Sequence, residues 1–214
     1  MNELELAAKL SLYLVADPGQ TAGDFHKAVE AALANGVTAV QLRTKLGTDR
    51  QVLELARSVA ILCRVHGALF LINDRVDIAL AAGADGIHLG VDDLPLEDAR
   101  SLLGPDCVIG FSPETDQQVR ESRERGADYL GVGPVVTTAS KDDAGHPIGL
   151  NGLRRRVELS GIPVIGIGGI TPATYPDVLA TGAVGAAVIS AILRAADPGQ
   201  AAREFIEARG RTRA

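Results

Sequence analysis

The chain has 214 residues, a formal net charge of −6, 3% aromatic residues and no tryptophan. The surplus of acid disfavours a phosphate backbone, and the shortage of aromatic rings leaves no stacking platform for single strands, so nucleic acid is excluded as a partner. The length suits one large core, near the lower end for an α/β barrel at about 200 residues, and the aliphatic bias suits parallel strands buried on both faces.

In chain order, residues 12–16 read as a first strand, ended by Asp17-Pro18-Gly19, and 25–34 carry helical spacing. A second strand spans 37–41 after the helix stop Asn35-Gly36. Residues 51–66 form an amphipathic helix with Val52, Leu55, Ala56, Val59, Leu62 and Cys63 on one face. Strands at 68–72, 86–89, 107–110, 129–132, 163–167 and 183–189 follow. They alternate with helices at 76–82, 96–103, 116–125, 150–159, 174–180 and 200–208. Gly36, Gly83, Gly126 and Gly182 each close a helix just before a strand, as a left-handed C′ residue does. Eight strand–helix units in strict alternation imply right-handed crossovers and a closed (β/α)8 TIM barrel, with a doubly wound open sheet as the alternative. One domain is expected over 1–214, its core running from about 12 to 208 and its end at 209–214 frayed and solvated.

Cys63 and Cys107 form no CxxC and read as reduced core residues of a cytoplasmic protein. The first five residues lack the basic start of a signal peptide, and no apolar run reaches bilayer length. The pattern leaves room for a homo-oligomer without fixing one.

In a barrel of this kind chemistry collects where strands end. After the second strand, Gln41, Arg43 and Lys45 alternate towards one side of the mouth, which suits a polyphosphate. Asn73-Asp74 and Val91-Asp92-Asp93 follow the third and fourth strands. Singly, Asp74 reads as a helix cap and Asp92 or Asp93 as turn residues. Together, opposite two cations, they offer the hard oxygens that Mg2+ favours. His88, within a strand, reads as a hydrogen-bonded core histidine. Ser112 either binds a polar group or caps a helix; no His or Asp stands near it in sequence, so a nucleophilic serine is not expected.

The loop from Gly133 to about Gly149 is long for a strand–helix connection and carries Thr137, Thr138, Ser140 and Lys141. It reads as an anion-binding lid, with a merely disordered loop as the alternative. Pro163 to Thr171 reads as strand, glycine turn and helix start, with Thr171 as N-cap and Pro172 at the first helical position. Amides freed at Gly168-Gly169, and the strand end at Ile189-Ser190, suit a phosphate.

These residues resemble the thiamine phosphate synthase family over nearly the whole chain, in order: Gln41-x-Arg43-x-Lys45, Asn73-Asp74, Gly86-Ile-His-Leu-Gly-x-x-Asp93, Gly110-x-Ser112, Gly131-x-Gly-Pro134 with Thr138-x-Ser140-Lys141, Ile167-Gly-Gly-Ile170 and Ile189-Ser190. The resemblance implies a (β/α)8 barrel, a transferase that joins hydroxymethylpyrimidine diphosphate to a thiazole phosphate with loss of pyrophosphate. By that resemblance Gln41, Arg43, Lys45, Asn73, Ser112 and Lys141 would hold the pyrimidine diphosphate, and Asp74 and Asp93 would hold Mg2+. Thr138, Ser140, Gly169, Ile189 and Ser190 would hold the thiazole phosphate. Arg43, Lys45, Lys141 and Ser112 would act on the departing diphosphate.

The sixth loop departs from the family's Pro-Thr-x-Thr-Lys, with Thr137 for the proline and Ser140 for the second threonine; Val91 stands where the family often has Gln. The related thiazole tautomerase carries a histidine two residues after the serine, where this chain has Glu114. A non-catalytic thiamine-phosphate-binding barrel is the alternative from a different class.

Overall fold

Short parallel strands buried on both faces leave two bare edges unless the sheet closes on itself. In the computed structural model, which describes residues 1–44, 46–137 and 146–210, it does close. The strands are β1 (Leu12–Ala16), β2 (Ala39–Leu42), β3 (Leu69–Asn73), β4 (Gly86–Leu89), β5 (Val108–Phe111), β6 (Tyr129–Val132), β7 (Val164–Ile167) and β8 (Gly185–Val188). They follow one another around the barrel in sequence order. Leu14 of β1 pairs with Val40 of β2 on one side and Val188 of β8 on the other. The helices are α1 (Glu3–Lys9), α2 (Phe25–Ala34), α3 (Asp49–His66), α4 (Val76–Ala82), α5 (Leu96–Leu103), α6 (Asp116–Glu121), α7 (Gly149–Leu159), α8 (Tyr175–Leu179), α9 (Ser190–Leu193) and α10 (Pro198–Arg209).

Where helix ends differ from the sequence reading, side-chain caps decide them. α3 starts at Asp49 because Thr48 and Gln51 form a reciprocal capping box. Asn2 and Glu5 do the same for α1, a helix that the sequence reading left out. α6 stops at Glu121, four residues early, where the buried Ser122 hydroxyl takes the Val119 carbonyl at 2.7 Å. The expected cap at Thr171 is overturned: Thr171 N–H is bonded to Thr174 Oγ1 at 3.0 Å, and α8 begins at Tyr175.

Gly36, Gly83, Gly126 and Gly182 all have positive φ, as their helix-ending role requires. Two of these stops run on as Gly-Ala-Asp, and the aspartates close the N-terminal rim: Asp85 accepts from Phe70 N–H at 2.8 Å and Asp128 from Ile109 N–H at 2.7 Å. Cys63 is buried and Cys107 half-buried, both as free thiols; burial pushes the Cys63 thiol up to about 12. Among the described residues no helix is long and apolar enough to cross a membrane.

The outer helices seal against the barrel through large side chains. Phe205 of α10 is fully buried and meets Tyr175 of α8 edge-on at 5.5 Å. Truncating such a ring removes transfer energy and leaves a cavity. Phe205→Ala is expected to lower unfolding free energy by about 3–5 kcal/mol in urea titration. A loss below about 1 kcal/mol would show that α10 is not part of the cooperative core.

Candidate active site

The C-terminal ends of the strands surround a cavity of about 740 Å3. One wall is acidic. Asp74 follows β3 with φ of +63°, a left-handed conformation that is uncommon outside glycine. Its N–H is held by the His88 carbonyl at 3.0 Å, which fixes the turn. Asp93, beyond β4, takes the Gly90 N–H on its carboxylate at 2.6 Å. Both carboxyls line the cavity, and Asp93 acts directly on Asp74. Burial, then the bond and charge of Asp93, push Asp74 up to about 6, while Arg43 and Asn73 pull it back. The cap expected of Asp74 is not made: the N-cap position of α4 is held by Arg75, and no side chain caps the helix.

Arg43 leaves β2 into the same cavity with its side chain only 13% exposed. Its Nη1 is paired with Asp17 at 3.1 Å. Asp17, at the end of β1, also accepts the Gly19 N–H at 2.9 Å. The sequence reading missed Asp17, taking it only as a strand stop, although it is an acid at a strand end like Asp74. Asn73, at the end of β3, lines the cavity.

Gln41 points the same way as Arg43 but lies a layer deeper. It is 4% exposed, does not line the cavity, and donates from Nε2 to the Tyr13 hydroxyl at 2.7 Å. No His or Asp adjoins Ser112 in sequence, but the fold supplies a histidine in space: His88 Nε2 stands 2.8 Å from Ser112 Oγ, brought there by the pairing of β4 with β5. The other ring nitrogen meets Tyr129 rather than a carboxylate, so the arrangement is not a catalytic triad. His88 is hydrogen-bonded as expected, and it also lines the cavity.

The opposite wall is a ledge of small residues. Gly168 and Gly169 both have positive φ, and a side chain on Gly169 would stand 2.7 Å from the Thr137 carbonyl. Val136 N–H is bonded to the Gly168 carbonyl at 3.0 Å, tying the sixth loop to the end of β7. Ile189 and Ser190, at the start of α9, complete the ledge. Behind Ser112, Arg156 of α7 holds the Pro113 and Glu114 carbonyls at 3.2 and 2.6 Å, a brace the sequence did not reveal. Lys45, Thr138, Ser140 and Lys141 lie outside the described residues.

Among the described residues no three His, Cys, Asp or Glu side chains gather into a metal cage. The acidic pair nonetheless fits a small hard cation that keeps several waters and takes phosphate oxygens, the habit of Mg2+. Two carboxyls, an arginine beside them and a glycine-lined ledge line the mouth of a closed (β/α)8 barrel, the place where enzymes of this fold carry their active sites. A family profile described as thiamine monophosphate synthase matches residues 12–192. The thiamine-phosphate synthase of Moorella thermoacetica is 50% identical over 185 residues, 86% of this chain and 88% of that protein. A thiamine biosynthesis bifunctional protein of Symbiobacterium thermophilum is 50% identical over 202 residues, 94% of this chain but 41% of its own length. The structure of a thiamine phosphate pyrophosphorylase from Pyrococcus furiosus superposes with a TM-score of 0.89 at 39% identity, covering 98% of this chain and all of that one. The chain belongs to the thiamine monophosphate synthase family.

The raised Asp74 carboxyl has a consequence for stability. Between about pH 4 and pH 6 the folded chain binds more protons at Asp74 than the unfolded chain, so stability falls as pH rises through that window. Asp74→Asn is therefore expected to stabilise the metal-free protein by about 1–2 kcal/mol at pH 7, after discounting for partial exposure, and by nothing below pH 4. Equal stability at pH 7, read by chemical denaturation, would contradict a carboxyl held protonated by burial and by Asp93.

Proposed function

We propose that this chain is a thiamine phosphate synthase, joining a hydroxymethylpyrimidine diphosphate to a thiazole phosphate and releasing pyrophosphate. The observation that carries the reading is the shared cavity: Asp74, Asp93 and Arg43 on one wall, Gly168, Gly169, Ile189 and Ser190 on the other. The acidic and basic wall suits the diphosphate, and the ledge suits the acceptor's phosphate. The family and the names of its members agree with that division.

Arg43 meets the diphosphate oxygens with a fork already steadied by Asp17. Asn73 and Ser112 hold the pyrimidine side; Lys45 and Lys141 add positive charge to the leaving group; Gln41 supports the site from below. Thr138, Ser140, Gly169, Ile189 and Ser190 hold the thiazole phosphate. Asp74 and Asp93 would hold Mg2+, which supplies a Lewis acid for the departing charge. The pyrimidine 4-amino group feeds electrons to the exocyclic carbon as pyrophosphate leaves, and the thiazole nitrogen attacks that carbon. No protein nucleophile is required. The chain's part is to position both substrates, neutralise the leaving group and exclude water.

Protein, Mg2+ and both substrates should give thiamine phosphate and pyrophosphate in equal amounts, with turnover lost on chelation. Thiazole isomerisation without metal, and no pyrophosphate, would mean a tautomerase instead. Asp93→Ala should keep the fold and lower kcat by about a hundredfold or more; near-normal turnover with an unchanged melting curve would remove Asp93 from the metal site.

A further inference from the structure

Ser112 is the last of five side chains joined by hydrogen bonds through the barrel interior. Gln41 Nε2 donates to the Tyr13 hydroxyl at 2.7 Å, and that hydroxyl lies 2.9 Å from the hydroxyl of Tyr129. Tyr129 lies 2.9 Å from His88 Nδ1, and His88 Nε2 lies 2.8 Å from Ser112 Oγ. Gln41, Tyr13 and Tyr129 are all buried, and only the Ser112 end opens into the cavity beside His88. The chain fits because Gly110 leaves room for it: a Cβ there would stand 2.2 Å from Tyr129 Cζ and 2.4 Å from His88 Nδ1.

The direction of these bonds follows from proton counting. A tyrosine hydroxyl has one proton to give, and a neutral imidazole has one N–H and one lone pair. Gln41 presents N–H to Tyr13, so Tyr13 spends its own proton on Tyr129. Tyr129 then spends its proton on His88 Nδ1. The ring carries its proton on Nε2 and gives it to Ser112 Oγ, which leaves the Ser112 proton for whatever enters the cavity. A ring protonated on both nitrogens would push against Gln41 from the far end and strand one hydroxyl proton in a dry interior, at the cost of an unsatisfied buried donor.

We infer that His88 is a positioning residue, fixed by the buried Gln41–Tyr13–Tyr129 chain in the tautomer protonated at Nε2, and that it makes Ser112 a hydrogen-bond donor towards the pyrimidine diphosphate. The substrate part of this rests on the function proposed above; that substrate offers ring nitrogens and phosphate oxygens as acceptors for the Ser112 proton, beside an amino group that donates. Gln41 then acts on the substrate at a distance, through four intervening bonds, which accounts for its place below the cavity.

The test is 15N NMR of the histidine rings at neutral pH, with the His88 signals identified by their loss in His88→Gln. The wild type should show a single His88 tautomer, protonated at Nε2. Gln41→Met removes the donor at the far end and Tyr129→Phe removes the link; each should bring in a second tautomer. Tyr129→Phe should also raise KM for the pyrimidine diphosphate about three- to tenfold, the worth of one oriented hydrogen bond, and leave KM for the thiazole phosphate unchanged. A wild-type ring protonated at Nδ1, or two variants that both keep the wild-type tautomer, overturns the inference. A wild type with the Nε2 proton but no pyrophosphate release overturns the substrate assignment and leaves the chain itself supported.

Discussion

Two carboxyls pressed together at the mouth of a barrel are the constraint around which this site is arranged. Burial first, and then the neighbouring Asp93 carboxyl, makes Asp74 hold its proton up to about pH 6. The backbone adds to the cost, because Asp74 sits at φ +63°. A fold optimised for stability alone would not retain both features. In the proposed reaction a divalent cation held by Asp74 and Asp93 would offset both costs and add to the attraction of Arg43 for a diphosphate. Asp17 pairs with the Arg43 guanidinium at 3.1 Å and so steadies it beside the acidic pair.

The fold was legible because its signals are local and repeated. Strand runs at 12–16, 86–89 and 129–132 were bounded correctly, since glycine stops or Asp-Pro breaks flank them. Closure followed from alternation alone. The misses came from side chains that bond to nearby backbone. Thr48 with Gln51 and Asn2 with Glu5 lengthen or create helices, while Ser122 ends one by taking the Val119 carbonyl. Thr171-Pro172 looked like a helix start, yet Thr174 captures the Thr171 N–H first.

The site was legible to the extent that strand ends converge by topology. Asp74 and Asp93 come from neighbouring strands, so their meeting could be foreseen from order alone. The His88–Ser112 contact depends on register: His88 pairs with Gly110, so its ring reaches past a residue without a side chain to touch Ser112. No spacing in the sequence encodes that depth. The same holds for Gln41, which alternation placed on the correct side but not at the correct level. Asp17 is a different case, because the rule applied to later strand ends would have found it at the first.

The two walls of the cavity differ in kind, one charged and one lined by glycine backbone, and in the proposed reaction each would receive one of the two phosphorylated substrates. In the proposed reaction the acidic wall works through a cation. The most direct measurement is calorimetric titration of the protein with pyrophosphate, with and without Mg2+. Affinity should fall at least about tenfold when Mg2+ is withheld, as expected when a bridging cation is lost, and in Asp93→Asn it should no longer depend on the metal. Equal affinity for pyrophosphate with and without Mg2+ in the wild type would contradict the account.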